Sequence, residues 1–175
     1  MGELQRELPD VDATHALACQ LAAVVAAGGI VWLRGDLGAG KTTFARSLLR
    51  ALGVKERIKS PTYSLVEHYP LPSGNDAWHL DLYRIADADE MDYLGLDALW
   101  APGAVVLVEW PERGGPALPP ADLEIHFSQA PEADGRHARI LPLSARAHAW
   151  LHQLAAMDPA GERPMGTCAD AAPRA

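Results

Sequence analysis

The sequence predicts a single α/β domain whose mixed β-sheet is flanked by helices. Two apolar runs, residues 30–33 and 105–108, have the length and composition of strands buried on both faces, as in the parallel part of such a sheet. Two further strand segments, residues 63–69 and 78–83, are separated by a Pro-Ser-Gly-Asn turn and therefore form an antiparallel pair. A sheet that combines both kinds of pair is mixed.

Length and charge limit the classes of function. The chain has 175 residues, which suits one domain with a sizeable core. Its net charge of −8 argues against a broad electrostatic grip on DNA or other nucleic acid and favours a protein partner. The longest apolar stretch, residues 21–33, is interrupted by two glycines and is too short to span a bilayer. With no apolar leader and only two distant cysteines, the expected location is the cytoplasm.

The segments around the first buried strand predict two helices. Residues 1–11 suit an edge strand or an extended arm. A helix capped by Asp12 or Thr14 is expected to run to about residue 27 and to stop at the Gly-Gly pair that follows. The second helix begins near Lys41 and ends at Gly53.

The second half of the chain is also predicted to contain both helices and strands. Residues 87–99 are acidic and are expected to form two short helical pieces, and residues 111–120 form a loop rich in proline and glycine. Residues 123–127 and 136–141 have the pattern of a β-hairpin. Residues 145–156 have the pattern of a short terminal helix.

The pattern of apolar residues sets the expected domain boundary. Residues 1–156 are expected to form the folded domain. Residues 157–175 consist mainly of Pro, Gly, Ala and polar residues and show no apolar periodicity, which predicts a disordered C-terminal tail.

The first buried strand leads into a phosphate-loop motif. Gly35 and Gly40-Lys41-Thr42 match the pattern G-x-x-x-x-G-K-[ST], with a strand before and a helix after it, and a glycine-rich turn that matches by chance is the alternative. Glycines allow successive N–H groups to point at one phosphate, and the helix N-terminus adds its dipole. Lys41 supplies positive charge for phosphates, and the Thr42 hydroxyl suits Mg²⁺, which prefers oxygen ligands. The candidate nucleotide-binding residues are Gly38, Ala39, Gly40, Lys41, Thr42 and Thr43.

Two carboxylates join Lys41 as candidate catalytic residues. Glu109 ends the second buried strand, where an acid in phosphate-loop enzymes holds Mg²⁺ directly or through water. A glutamate at the point where the chain surfaces is the alternative. Asp81 lies on the strand face opposite the apolar one, which suits a carboxylate presented at a site. For Asp81 the alternative is the exposed polar face of an antiparallel strand.

The turn Ser60-Pro61-Thr62 lies between the helix after the phosphate loop and the next strand. Pro61 fixes the backbone and excludes a central strand at this point. The turn is either a plain connector or a mobile hydroxyl-bearing loop in which Thr62 senses the γ-phosphate or Mg²⁺.

Five motifs in a fixed order carry a family resemblance. They are Gly35-Asp36-Leu37-Gly38-Ala39-Gly40-Lys41-Thr42-Thr43-Phe44, Ser60-Pro61-Thr62-Tyr63, His79-x-Asp81-Leu82-Tyr83-Arg84, Leu94-Gly95-Leu96 and Val108-Glu109-Trp110-Pro111. In this order and at these spacings they resemble the TsaE (YjeE) family of bacterial proteins over about residues 8–150.

The resemblance implies a cytoplasmic P-loop ATPase that uses ATP and Mg²⁺. It implies a requirement for this ATPase in forming the threonylcarbamoyl group on N6 of adenosine 37, in tRNAs reading codons that begin with A. The implied partners are the TsaB and TsaD subunits, whose complex is reset by ATP hydrolysis, so that tRNA is engaged only indirectly.

The resemblance also implies residue roles. It assigns Lys41 to the phosphates, Thr42 and Glu109 to Mg²⁺, Asp81 to catalysis, Ser60 and Thr62 to a switch-like loop, and Thr14 and Arg136 to the adenine or phosphate side.

Three other classes remain as alternatives. A small-molecule kinase of the phosphate-loop class is the runner-up, although the region where such kinases carry an arginine-bearing helical lid is here Pro-rich and then β-like. A Ras-type GTPase is disfavoured because the chain has no Asn-Lys-x-Asp stretch; its only asparagine, Asn75, is followed by Asp76. A non-enzymatic scaffold would explain none of Lys41, Asp81 and Glu109.

Overall fold

The structure is a computed structural model and describes residues 2–94, 96, 99, 101–130 and 135–157. The helices and strands are β1 (Leu4–Leu8), α1 (Val11–Val25), β2 (Gly29–Arg34), α2 (Lys41–Ala51), β3 (Val66–Pro70), β4 (Asp76–Asp81), a 3-10 helix (Ala88–Leu94), β5 (Val105–Glu109), α3 (Pro111–Gly114), a 3-10 turn (Gly115–Ala117), β6 (Leu123–Gln129), β7 (Arg136–Pro142) and α4 (Ala145–Ala156).

The strands form one seven-stranded sheet in the order β1-β7-β6-β2-β5-β4-β3. Strands β6, β2, β5 and β4 are parallel to their neighbours in this central group. The outer pairs β1–β7, β7–β6 and β3–β4 are antiparallel, which confirms the predicted mixed sheet. Because β2 lies between β5 and β6, the loop that follows β2 emerges at the centre of the sheet, beside the carboxyl ends of the parallel strands.

The two faces of the sheet are covered differently. Helices α1, α2 and α4 pack on one face through a large apolar cluster that includes Leu21, Phe44 and Leu151. On the other face, residues of β4 and β5 form a second cluster with Met91 of the 3-10 helix. Alternate residues along β4 and β5 therefore belong to different layers of the molecule.

The start of α1 differs from the prediction. Asp10, rather than Asp12 or Thr14, caps the helix: its backbone is extended and its side chain accepts a hydrogen bond from the Ala13 amide at 2.8 Å. Asp12 and Thr14 already lie inside the helix, and a capping residue needs a non-helical backbone.

Strand β3 starts later than predicted. Residues 61–64 form a turn, in which the Leu65 amide donates to the Pro61 carbonyl at 2.7 Å. Leu65 itself has a positive φ of 64°, so the chain reverses before the strand pairing begins at Val66. The apolar pattern alone could not show this reversal.

The two segments expected to be irregular or α-helical also differ from the prediction. The first piece of 87–99 is a 3-10 helix, Ala88–Leu94, while most of the second piece lies outside the described residues. The segment 111–120, predicted as a loop, contains the short helix α3, which begins with Pro111 at a position where proline loses no helical hydrogen bond.

The C-terminal elements follow the prediction. Strands β6 and β7 form the predicted hairpin, and α4 covers Ala145–Ala156. Met157 packs against the core, and the rest of the predicted tail, residues 158–175, lies outside the described residues. Within the described parts of the chain, every helix is too short or too polar to cross a membrane.

Candidate nucleotide-binding site

The phosphate-loop motif connects the end of β2 to the first turn of α2. Gly35, Gly38 and Gly40 all have positive φ, at 135°, 79° and 105°. A Cβ at Gly35 would lie 2.3 Å from the Phe127 carbonyl oxygen of β6, so only glycine fits there. At Gly38 and Gly40 a Cβ would meet nothing within 4 Å, which shows that this side of the loop is open.

Lys41 lies at the bottom of the loop and is only 4% exposed. Its Nζ donates to the carbonyl oxygens of Gly35 at 2.5 Å and Asp36 at 2.8 Å, and lies 4.0 Å from the centre of the Trp110 ring. Burial lowers the pKa of Lys41, and the nearby carboxylates of Glu109 and Asp81 oppose this effect. The lysine is thus held beside the two candidate catalytic carboxylates.

Thr42 and Glu109 are in direct contact. The Thr42 hydroxyl donates to Glu109 Oε2 at 2.8 Å. The other carboxylate oxygen, Oε1, lies 2.7 Å from Nε2 of the fully buried His79. Glu109 is 2% exposed, so it is not a glutamate at a point where the chain surfaces. Its carboxylate is fixed at both oxygens.

Asp81 is the neighbour of Glu109 in the parallel pair β4–β5. It is buried, which excludes the alternative of an exposed polar strand face. Its Oδ2 accepts a hydrogen bond from the Thr62 hydroxyl at 2.8 Å, and Thr62 Oγ1 lies 2.9 Å from Ser60 Oγ. The Ser60–Thr62 turn is therefore joined to the carboxylate cluster by its hydroxyl groups.

The remaining predicted residues lie in different surroundings. Arg136, at the start of β7, donates to the carbonyl oxygen of Gly38 at 3.4 Å and so reaches the loop. The Thr14 hydroxyl donates to the Asp10 carbonyl oxygen within its own helix, at 3.3 Å. Thr43 is exposed on the first turn of α2, next to Thr42. Ala39 is buried beneath the loop.

Two side chains of the site were not predicted to contribute to it. His79 shares a strand face with Asp81, and this alternation could have pointed to it. Trp110 follows Glu109 in a left-handed conformation with φ 58° and ψ 49°, which places its ring over Lys41. No sequence pattern indicates that conformation for a tryptophan.

The residues at this site fit a nucleotide with its magnesium ion. The loop is open beside Gly38 and Gly40, which leaves room for phosphate oxygens, and Lys41 offers a cation. Thr42 and Glu109 offer adjacent hydroxyl and carboxylate oxygens, the donors that Mg²⁺ prefers. Among the described residues, no three His, Cys, Asp or Glu side chains lie together as a metal cage. Mg²⁺ in nucleotide sites is typically held by one or two carboxylates together with substrate phosphates.

A family comparison agrees with this geometry. The model of the family "Threonylcarbamoyl adenosine biosynthesis protein TsaE" matches residues 8–138. The chain belongs to the TsaE family. The matched range includes the phosphate loop, Asp81, Glu109 and Arg136, so the residues gathered at the site all lie within the part of the chain that defines the family.

Proteins named tRNA threonylcarbamoyladenosine biosynthesis protein TsaE are among the relatives. The TsaE of Haemophilus influenzae is 41% identical over 104 residues, which cover 59% of this chain and 65% of that protein, slightly less than two thirds of its length. The TsaE of Aquifex aeolicus is 37% identical over 127 residues, covering 70% of this chain and 90% of that protein. The TsaE of Bacillus subtilis is 35% identical over 134 residues, covering 74% and 80%.

A solved structure supports the fold. The crystal structure of Bacillus subtilis YdiB aligns with a TM-score of 0.72 and 30% sequence identity, and the alignment covers 87% of this chain and 94% of that chain. Together with the loop geometry, this similarity identifies the TsaE-family chain as a P-loop NTPase fold, as the sequence predicted.

Proposed function

We propose that this protein is a Mg²⁺-dependent ATPase required for forming the threonylcarbamoyl group on N6 of adenosine 37, in tRNAs reading codons that begin with A. The observation that carries the proposal is the cluster of Lys41, Thr42, Asp81 and Glu109 around one phosphate loop. Relatives 41% and 37% identical to this chain are named for this tRNA modification, which supports the biological part of the proposal.

Binding is the role of the phosphate loop. We assign the backbone N–H groups of the loop and of the first turn of α2 to the phosphates. The Ala39 amide donates to the Asp36 carbonyl oxygen at 3.1 Å and would have to exchange that bond for a phosphate oxygen. Lys41 exchanges its contacts with the Gly35 and Asp36 carbonyl oxygens for phosphate oxygens. Arg136 and Thr14 are assigned to the adenine or phosphate side of the nucleotide, and Arg136 has the stronger support because it reaches Gly38.

Two oxygen-bearing side chains hold the metal. Thr42 and Glu109 would bind Mg²⁺, which supplies charge neutralisation on the phosphates when it is present. Glu109 is fixed by Thr42 on one oxygen and by His79 on the other, so its orientation is set before any ligand binds.

Asp81 connects the chemistry to the Ser60–Thr62 turn. Its carboxylate accepts a hydrogen bond from the Thr62 hydroxyl, and we assign it to catalysis as the group that would position the attacking water. If the Asp81 carboxylate moves during hydrolysis, the hydrogen bonds that link it to Thr62, and Thr62 to Ser60, would change the position of the turn. This coupling is the basis for assigning the turn as a switch loop.

The partners belong to the same proposal. We assign the TsaB–TsaD complex as the partner that ATP hydrolysis resets, with tRNA engaged only through that complex and with the cytoplasm as the location. The net charge of −8 supports docking on a basic protein face rather than on DNA or tRNA. A small-molecule kinase is the weaker alternative, because the relatives are named for tRNA modification.

The test compares Lys41→Ala with the parent and with Lys55→Ala, which removes an exposed lysine just beyond α2. Losing a phosphate-binding cation from a buried site costs on the order of 2–4 kcal/mol, so ATP affinity measured by calorimetry should fall by roughly 30- to 900-fold. Lys55→Ala should bind like the parent. Equal ATP affinity in all three proteins would contradict the nucleotide site, and phosphorylation of a small acceptor instead of phosphate release would favour the kinase.

A further inference from the structure

His79 is a polar residue in a position that would suit an apolar one. It lies on β4, its relative exposure is 0%, and its strand neighbour in β5 is Leu107. Both residues face the layer that contains α2, as do Asp81 and Glu109 two residues further along their strands. The imidazole therefore lies directly behind the carboxylate cluster.

The hydrogen bonds of the imidazole are one-sided. Nε2 lies 2.7 Å from Glu109 Oε1, and because a carboxylate oxygen accepts, Nε2 donates. The second ring nitrogen, Nδ1, is buried and has no hydrogen-bond partner among the described residues. Burying a polar atom without a partner is unfavourable, whereas methionine or leucine would fill this space without that cost. The Glu109 contact is the interaction that accounts for a histidine here.

The geometry at Glu109 shows what the contact does. Held by His79 at Oε1, the carboxylate turns Oε2 towards the Thr42 hydroxyl, at 2.8 Å. Without the Nε2–H donor, Oε1 would be a buried acceptor lacking this partner, and the carboxylate would be free to rotate away from Thr42. Substitution of a residue that orients a metal-binding carboxylate typically lowers metal affinity or activity by 10–100-fold.

We propose that His79 is a positioning residue that fixes the Glu109 carboxylate, so that Oε2 and the Thr42 hydroxyl form a ready-made binding position for the metal of the nucleotide. This inference rests on the proposed function, since it assumes that Glu109 holds Mg²⁺. It assigns to His79 no contact with nucleotide and no part in proton transfer.

The test uses two substitutions of similar shape. Glutamine places its amide Nε2 the same number of bonds from Cα as the histidine Nε2, so His79→Gln retains a donor towards Glu109. His79→Met fills the space without a donor. Binding of Mn²⁺, a paramagnetic substitute for Mg²⁺, to the protein–ADP complex is measured by electron paramagnetic resonance, with ADP affinity in EDTA and thermal unfolding alongside.

His79→Met is expected to weaken Mn²⁺ binding about tenfold or more and to leave ADP affinity in EDTA within about twofold. His79→Gln is expected to restore Mn²⁺ affinity to within about threefold of the parent. Parent-like Mn²⁺ affinity in His79→Met would overturn the inference, as would equal losses in both variants or loss of metal-free ADP binding. A parent that binds ADP but shows no Mn²⁺ site and no Mg²⁺-dependent hydrolysis would instead overturn the proposed function itself.

Discussion

The hydroxyl of Thr42 donates a hydrogen bond to Glu109 Oε2 across 2.8 Å, which joins the first turn of α2 to the end of β5. The two residues are 67 positions apart in the sequence, yet they present adjacent oxygens at the carboxyl end of the central strands. A hydroxyl and a carboxylate so arranged suit a cation that prefers oxygen.

Thr42→Ala should raise the Mg²⁺ concentration needed for half-maximal ATP hydrolysis by about tenfold, because one metal ligand and the partner of Glu109 Oε2 are lost together. Thr42→Ser keeps the hydroxyl and should stay within about threefold of the parent. The measurement is initial phosphate release over a Mg²⁺ titration at saturating ATP. An unchanged Mg²⁺ requirement in Thr42→Ala would remove Thr42 from the metal site.

Asp81→Asn and Glu109→Gln separate binding from chemistry. The phosphate-loop backbone supplies most nucleotide contacts, so ATP affinity should stay within about tenfold of the parent, while hydrolysis falls by at least about 10²-fold. Asp76→Asn, at the other end of β4 and half-exposed, is the matched control and should hydrolyse ATP normally. Parent-like rates in both site variants would show that neither carboxylate is catalytic.

Hydrolysis by the isolated chain should be slow and should rise at least about tenfold with the TsaB–TsaD pair from the same source. Phosphoryl-transfer sites without an internal arginine finger are typically slow until a partner supplies charge or orders the switch. The best internal candidate, Arg84, stacks its guanidinium on Tyr63 with a separation of 4.3 Å, and Tyr63 is 83% exposed.

The stimulation should weaken between low and high salt, since docking of a chain with net charge −8 on a basic face is screened by ions. Phosphate release is measured at two ionic strengths. A mixture of the Lys41→Ala variant with the TsaB–TsaD pair is the control, and it shows how much of the released phosphate depends on the nucleotide site of this chain. Fast turnover by the chain alone, unchanged by the pair, would favour an independent hydrolase or kinase.

The free energy of unfolding should decrease in acid as the Asp122 carboxylate becomes protonated. Burial alone would raise the pKa of this carboxyl, but hydrogen bonds from Arg146, the Ile30 amide and Ser144 outweigh burial and lower the pKa below its ordinary value of 3.8. A lowered folded-state pKa means that the stabilisation is complete above pH 3.8 and is lost as the pH falls through the folded-state value. Urea unfolding between neutral pH and pH 2.5 should therefore show a loss of stability below about pH 4. Glu124 also contributes to this loss, because burial would raise the pKa of its carboxyl but hydrogen bonds from Arg34 and His126 outweigh burial and lower it.

Asp122→Ala is the variant that tests this assignment. It should lower the free energy of unfolding at pH 7 by about 2 kcal/mol, less than for a fully buried pair because the Arg146 side chain is 53% exposed. It should also make the loss of stability in acid smaller than in the parent, with the share due to Glu124 remaining. Asp76→Ala, in the exposed pair with His68, should change the free energy of unfolding by less than about 1 kcal/mol. Similar losses in the two variants would mean that the Asp122 cluster has no special role.

The sequence predicted those residues of the candidate site that belong to a contiguous motif or to a regular alternation along a strand. Lys41 and Thr42 follow from a contiguous motif, Glu109 from its position at the end of a buried strand, and Asp81 from alternation along β4. The mixed sheet also followed, because tight turns impose antiparallel pairs.

Features that depend on which strands are neighbours did not follow from the sequence. The bond from His79 to Glu109 requires β4 to lie beside β5. The contact of Arg136 with Gly38, for which only the family resemblance gave an indication, requires the β6–β7 hairpin to lie beside β2. The cap at Asp10 and the left-handed Trp110 depend on backbone angles that several residue types could adopt. Hydrophobic pattern and residue propensity do not determine these backbone conformations, because they depend on tertiary packing.

The close contact of Gly35 with the Phe127 carbonyl oxygen makes the phosphate loop dependent on a segment that carries none of the five motifs. A fragment ending at residue 120 would contain the phosphate loop, Asp81 and Glu109 and would still lack the wall against which the loop is formed. The stretch that carries the five motifs is therefore shorter than the stretch that supplies the contacts of the phosphate loop. A truncated chain that ends before β6 would keep every motif and lose the contact at Gly35.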